Sequence, residues 1–134
     1  MAGHGLGPSD RVRRRPEFER AYDTGIRVQG RFMTLFVVAN DLGRPRLGIA
    51  ATRKLGSAVE RNRAKRVSRE LFRRHRISDA LDIVVVPRRE WLDASFSTLE
   101  TDYLALLDRR SHTRRRTDGP ERRRVRRPAA PARV

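Results

Sequence analysis

Between Ser57 and Arg76 the chain places Arg61, Arg63, Lys65, Arg66, Arg69, Arg73 and Arg74 in close succession, with Glu60 and Glu70 as the acids among them. Guanidinium and ammonium groups at this density stay charged near neutral pH, so the chemistry they offer is the holding of anions. On a helix of about 100° per residue, Ala64, Val67, Ser68, Leu71 and Phe72 fall on one arc. Asn62, Lys65, Arg66, Arg69 and Arg73 fall on the opposing arc, flanked by Arg61, Arg63 and Arg74. One side is apolar and the other almost wholly cationic. A solvated face usually mixes signs, because each like-charged i,i+4 pair costs roughly 0.2–0.5 kcal/mol. An acid-poor stripe inside a folded domain is instead suited to a phosphate backbone, where released counterions supply affinity. Asn62, in the middle of the stripe, could bond a phosphate oxygen, a 2′-hydroxyl or a metal-bound water.

Hydrolytic chemistry needs clustered carboxylates around a divalent metal, or a His paired with another acid–base group. His4 and His112 lie in the terminal segments, and His75 ends the basic helix, where it suits a cap or a phosphate neighbour better than a general base. The Asp and Glu residues are scattered singly. With no cysteine there is no disulfide framework and no thiolate metal site. A catalytic constellation within the protein is not expected.

Charge over the whole chain agrees with the stripe. The 134 residues carry 32 Lys and Arg against 16 Asp and Glu, a formal net charge of +16. Self-repulsion of that size suits a polyanionic partner, with nucleic acid ahead of an anionic membrane. No apolar stretch approaches the ~20 residues of a spanning helix, and Met1 to Pro8 lacks the order of a signal peptide. A cytoplasmic protein without membrane contact is expected. The segment from Arg109 holds 11 Arg, two acids and three Pro, leaving 21 basic and 14 acidic residues before it, a net of +7. Residues 109–134 are therefore expected to be a disordered Arg-rich tail, residues 1–10 a flexible start, and 11–108 the folded domain.

The elements that must hold the stripe alternate helix and strand. Arg15-Pro16-Glu17 opens a short helix that Gly25 closes. Arg31 to Asn40 is rich in β-branched and aromatic residues; a turn at Asp41-Leu42-Gly43-Arg44-Pro45 follows, then a second strand from Arg46 to Thr52. These two are expected to pair as an antiparallel hairpin, with a short edge strand around Ile26–Gln29. Leu81 to Val86 is a nearly continuous apolar run, as in a well-buried strand. Two capping boxes, Ser57-Ala58-Val59-Glu60 and Ser97-Thr98-Leu99-Glu100, announce helices. The second carries Leu99, Tyr103, Leu106 and Leu107 as an apolar stripe. The order is α-β-β-β-α-β-α, an α+β sandwich.

With those elements in place, Arg53-Lys54-Leu55-Gly56-Ser57-Ala58-Val59-Glu60-Arg61-Asn62-Arg63-Ala64-Lys65-Arg66 resembles the signature of the bacterial ribonuclease P protein family. That family carries a basic pair, then Gly-x-Ala-Val, then Arg-Asn-Arg opening its long helix. The resemblance spans about residues 11–108 and departs only at Ser57, where Asn is common, and at Ser68, where a bulkier aliphatic is usual. It implies a fold like the second domain of ribosomal protein S5, with a left-handed strand–helix–strand crossover. It also implies a non-catalytic protein subunit, in a 1:1 complex with an RNA that hydrolyses precursor tRNA using Mg2+. The residues facing the catalytic RNA would be Arg61, Asn62, Arg63, Lys65, Arg66, Arg69 and Arg73, with Asn62 a weak candidate near a metal ion.

The same resemblance implies a cleft for the 5′ leader of precursor tRNA, at Phe18, Tyr22 and Phe36, with Arg53 and Lys54 and, less directly, Arg13 and Arg14 at its ends. Alternation along the strands lends support. Phe32, Thr34, Phe36 and Val38 share one face, and Gly48, Ala50 and Thr52 on the next strand would give a nearly bare floor beside them. Aromatics beside such a floor stack bases at about 1–3 kcal/mol each with little sequence preference. Phe18 and Tyr22 could equally serve to staple the short helix to the sheet. A ribosomal or other structural RNA-binding protein, or a DNA-binding protein using the basic helix, would share the stripe without the cleft.

Overall fold

The computed structural model describes residues 10–116, with side chains as far as residue 110. Leu81–Pro87 (β4) is the strand around which the sheet is built. Its residues are buried on both faces, except for the partly covered Val86. That pattern demands neighbours on both edges and layers above and below. Met33–Ala39 (β2) pairs antiparallel with it from Met33 opposite Pro87 to Ala39 opposite Leu81. Arg46–Ile49 (β3) pairs parallel on its other edge, Leu47 opposite Ile83. Ile26–Gln29 (β1) completes the outer edge against β2, so the order is β1-β2-β4-β3.

The hairpin expected between Arg31–Asn40 and Arg46–Thr52 does not form, because β4 lies between those strands. The strand apolar on both faces takes the centre, where it buries most surface, and the turn at Asp41–Pro45 carries the chain past it. Gly43 sits at φ 77°, in the left-handed region open to glycine. The second strand also ends at Ile49, although the Ala50 N–H still donates to the Val85 carbonyl at 2.9 Å.

Parallel neighbours require a crossover, and Ala58–Arg74 (α2) supplies it between β3 and β4. Its start agrees with the sequence: Ser57 Oγ accepts from the Glu60 N–H at 3.2 Å, and Glu60 Oε1 accepts from the Ser57 N–H at 2.9 Å. Ala64, Ser68, Leu71 and Phe72 are buried beneath it. Phe96–Arg116 (α3) packs on the same face of the sheet through Leu99, Tyr103, Leu106 and Leu107. A 3-10 turn at Arg89–Asp93 adds buried Trp91 to that layer.

Two expectations about α3 change. Its cap is Ser95, whose Oγ accepts from the Thr98 N–H at 3.2 Å, not Ser97. Phe96 joins the first turn because it packs against the core, with Arg74 4.9 Å above its ring. The helix also runs to Arg116, past the boundary set at residue 108. Arg109 donates to the Gln29 carbonyl at 2.8 Å and Arg110 to Asp79 at 3.3 Å, which ties this part of the helix to the domain. The remaining tail, 117–134, and residues 1–9 lie outside the described residues.

On the opposite face, Arg15–Thr24 (α1) is the one helix among the described residues. Glu17 Oε1 accepts from the Arg13 and Arg14 N–H groups at 3.0 and 3.1 Å, fixing its start. At its end, a Cβ on Gly25 would stand 2.4 Å from the Ala21 carbonyl oxygen, so close backbone approach demands glycine. Phe18, Ala21 and Tyr22 pack with Val12, Phe36, Ala50 and Val84 as a second, smaller core. The whole is the α+β sandwich of four strands and three helices that the element order predicts.

Candidate nucleic-acid interface

The cationic face of α2 is graded along its length. Near its start Arg61 donates to the Gly56 carbonyl at 2.8 Å, tying the helix to the preceding loop. Near its end Arg73 and Arg74 both pair with Glu70, at 2.5 and 2.7 Å. Between them Arg63, Lys65, Arg66 and Arg69 make no ion pair with a carboxylate among the described residues. Asn62 is exposed beside them. Partial burial, then the charges of Arg11 and Arg66, lower the pKa of Arg69, and none of the three has an ion pair among the described residues. Arg11 reaches this group from the N-terminal segment, which bridges to Leu47 at the β3 edge. Nothing in its local sequence marks it, since the contact spans more than fifty residues. Such an arrangement suits a phosphate or another oxyanion.

Phe18, Tyr22 and Phe36 do come together. Tyr22 meets Phe36 edge-on with centroids 5.0 Å apart, and Phe18 lies 6.4 Å from Tyr22. The bare floor expected beside them is corrected by the sheet order. Val84 and Val86 of β4 occupy the place next to Phe36, and Gly48 lies one strand further on. Gly48 is covered by protein: a Cβ there would meet Val12 Cβ at 2.8 Å and the Phe18 ring at 3.2 Å. Phe18, 3% exposed, is therefore the lid on that hollow. Partly open positions lie on either side of it along the strands, at Val38 opposite Asp82 toward one end and at Val86 opposite Thr34 toward the other. Arg53 and Lys54 are exposed in the turn joining β3 to α2, and Arg13 and Arg14 are exposed ahead of α1.

A family model described as Ribonuclease P matches residues 6–111 of the chain. The chain belongs to the ribonuclease P protein family. It is 35% identical over 104 residues to the ribonuclease P protein component of Syntrophomonas wolfei, covering 76% of this chain and 87% of that protein. To the component from Oleidesulfovibrio alaskensis it is 39% identical over 106 residues, covering 76% and 84%. Among solved structures, the RNase P protein from Thermotoga maritima superposes with a TM-score of 0.68 at 35% identity, over 74% of this chain and 96% of that one. The Staphylococcus aureus RNase P protein superposes at 0.69 and 32%, over 74% and 93%.

In this ribonuclease P family member Asp82, Glu17 and Glu100 tie elements of the fold together. Asp82, fully buried within the apolar run of β4, accepts from Arg46 at 2.8 and 2.9 Å and from Asn40 at 2.8 Å. Arg46 also reaches Glu17 of α1 at 3.3 Å, which ties the helix carrying Phe18 and Tyr22 to the sheet. Burial pushes the Glu17 carboxyl up, but the Arg13 and Arg14 N–H groups and Arg46 together hold it below its ordinary value. His75 caps α2 and stands 2.7 Å from Glu100 of α3. Among the described residues no three His, Asp or Glu side chains converge as a metal site would require. No described helix is long and apolar enough to cross a membrane.

Proposed function

We propose that this chain is the protein subunit of a ribonuclease P holoenzyme, binding one catalytic RNA and the 5′ leader of precursor tRNA. Membership of the family supports an RNA partner and a role in tRNA processing. The observation that carries the interface is the acid-free middle of α2, where Arg63, Lys65, Arg66 and Arg69 flank exposed Asn62. Arg61 and Arg73, each already engaged within the protein, contribute less than that middle group. Hydrolysis belongs to the RNA with its Mg2+, and the protein supplies positioning and charge neutralisation in a cytoplasmic 1:1 complex. Asn62 lies near an ion of the RNA rather than in a metal site of the protein.

The leader lies along the sheet face beside α1, over partly exposed Val86, with the buried Tyr22 and Phe36 rings supporting that face from beneath and Arg53 and Lys54 contacting its phosphates. Mature tRNA lacks the leader, so this contact separates substrate from product. The test is a pair of affinities for the reconstituted holoenzyme. Precursor tRNA is expected to bind more tightly with the protein than without it, while mature tRNA gains little. An equal gain on both, or none, contradicts a leader site and favours a purely structural RNA-binding role.

A further inference from the structure

Arg27 and Arg88 take no part in the sites above, yet their surroundings are unusual. Arg27 stands opposite Phe36 in the β1–β2 ladder, so its side chain leaves the sheet on the Phe36 face. Arg88 directly follows β4, where its N–H donates to the Phe32 carbonyl at 2.9 Å. By the alternation of β4 it shares the face of Val84 and Val86. The two therefore flank the part of the face that α1 leaves open. In each, Nε is buried and has no hydrogen-bond acceptor among the described residues. The acid that approaches is Glu90, 3.9 Å from Arg88 and half exposed. Burial, then the nearby charge of Arg88, depresses the pKa of Arg27, as expected of two cations held near each other with a half-exposed acid reaching Arg88 alone among the described residues. A half-buried pair of this kind raises the free energy of the free protein and is relieved by an anion with several acceptor oxygens.

We propose that Arg27 and Arg88 form a clamp for one backbone phosphate of the single strand lying on the Tyr22–Phe36 face. This rests on the leader reading and extends it: the leader crosses from the α1 side of the sheet toward the β1 edge, and one phosphate is gripped there. The planar fork of each guanidinium suits the non-bridging oxygens of a phosphodiester. Arg31, the neighbouring exposed cation, is instead stacked 5.4 Å from the Phe32 ring centroid and serves as the control.

The experiment uses the holoenzyme reconstituted with its cognate RNA and precursor tRNAs whose leaders are lengthened one nucleotide at a time. With the unaltered protein, affinity is expected to step upward when the leader becomes long enough to place a phosphate at the clamp. Arg27→Gln should shrink that step about fivefold and shallow the salt dependence for long leaders by about 0.7, the value of one single-strand phosphate contact. Arg31→Gln should keep the full step. Because Arg27→Gln removes a like-charge contact, its melting temperature in low salt should equal or exceed that of the parent, which separates lost binding from misfolding. A full step in Arg27→Gln, or an equal loss in Arg31→Gln, overturns the clamp while leaving the leader site intact. Affinity that ignores leader length in the parent overturns both.

Discussion

Arg63 and Arg66 each project from a stretch of α2 where neither has an ion pair among the described residues, so replacing either with Ala subtracts a charge not engaged there. Affinity for the catalytic RNA should fall, and the slope of log affinity against log salt should become shallower by about 0.7–0.9 per lost contact. Arg73→Ala should change that slope less, because Glu70 already compensates Arg73. Binding isotherms over a salt series measure both; equal slopes for all three variants would contradict the graded face. Phe18 is a different case. Being buried over Gly48, it should cost about 3–5 kcal/mol of stability when cut to Ala, in addition to any effect on precursor binding. Chemical denaturation separates the two, and a Phe18→Ala protein of unchanged stability would show that the ring is not the lid described. Glu17 makes stability depend on pH. Its carboxyl titrates below its ordinary value in the folded protein, so the charged form stabilises the fold above the unfolded value. That contribution disappears as pH falls through the folded pKa. Acid titration of Glu17→Gln should accordingly show a flatter loss of stability than the parent over that range.

At the scale of elements, the network under α1 sets the cost of disturbing the site from a distance. Asp82→Ala leaves Arg46, largely enclosed, without its main partner, and should destabilise the protein by about 3–5 kcal/mol. Ser57→Ala removes the cap of α2 and should cost about 1 kcal/mol. Urea melts check both, and a near-neutral Asp82→Ala would show that the buried pair is dispensable. The helices were the legible part of the sequence. The Ser57–Glu60 box and the arc of Ala64, Ser68, Leu71 and Phe72 are written in spacings of three and four residues, and the structure keeps them. Strand pairing was not legible, because alternation tells which face a residue takes and not which strand lies beside it. The apolar run of β4 held the clue, since a strand buried on both faces belongs between others. Asp82 within that run, and the meeting of Arg11 with Arg66 and Arg69, depend on contacts distant in sequence. Ser95 displaced Ser97 as a cap because the packing of Phe96, a tertiary contact, chose the first turn.

For the molecule as a whole, the two faces of the sheet are built differently. One carries α2 and α3 over the larger core and turns the cationic stripe outward. The other carries α1 alone and leaves part of the sheet uncovered beside Tyr22 and Phe36. An RNA docked on the first and a single strand laid on the second need not compete for the same side chains. The net charge of +7 before Arg109 comes mostly from cations at the surface, and the Arg-rich segment that follows adds to the charge of the chain. Holoenzyme activity should therefore rise most steeply with protein when magnesium is scarce, where neutralisation of phosphate by the protein replaces neutralisation by ions. The direct measurement is removal of the 5′ leader from precursor tRNA by the cognate ribonuclease P RNA at low magnesium, with and without this protein. The protein is predicted to restore cleavage that the RNA alone performs poorly; cleavage unchanged by the protein would contradict its role as the subunit of that enzyme.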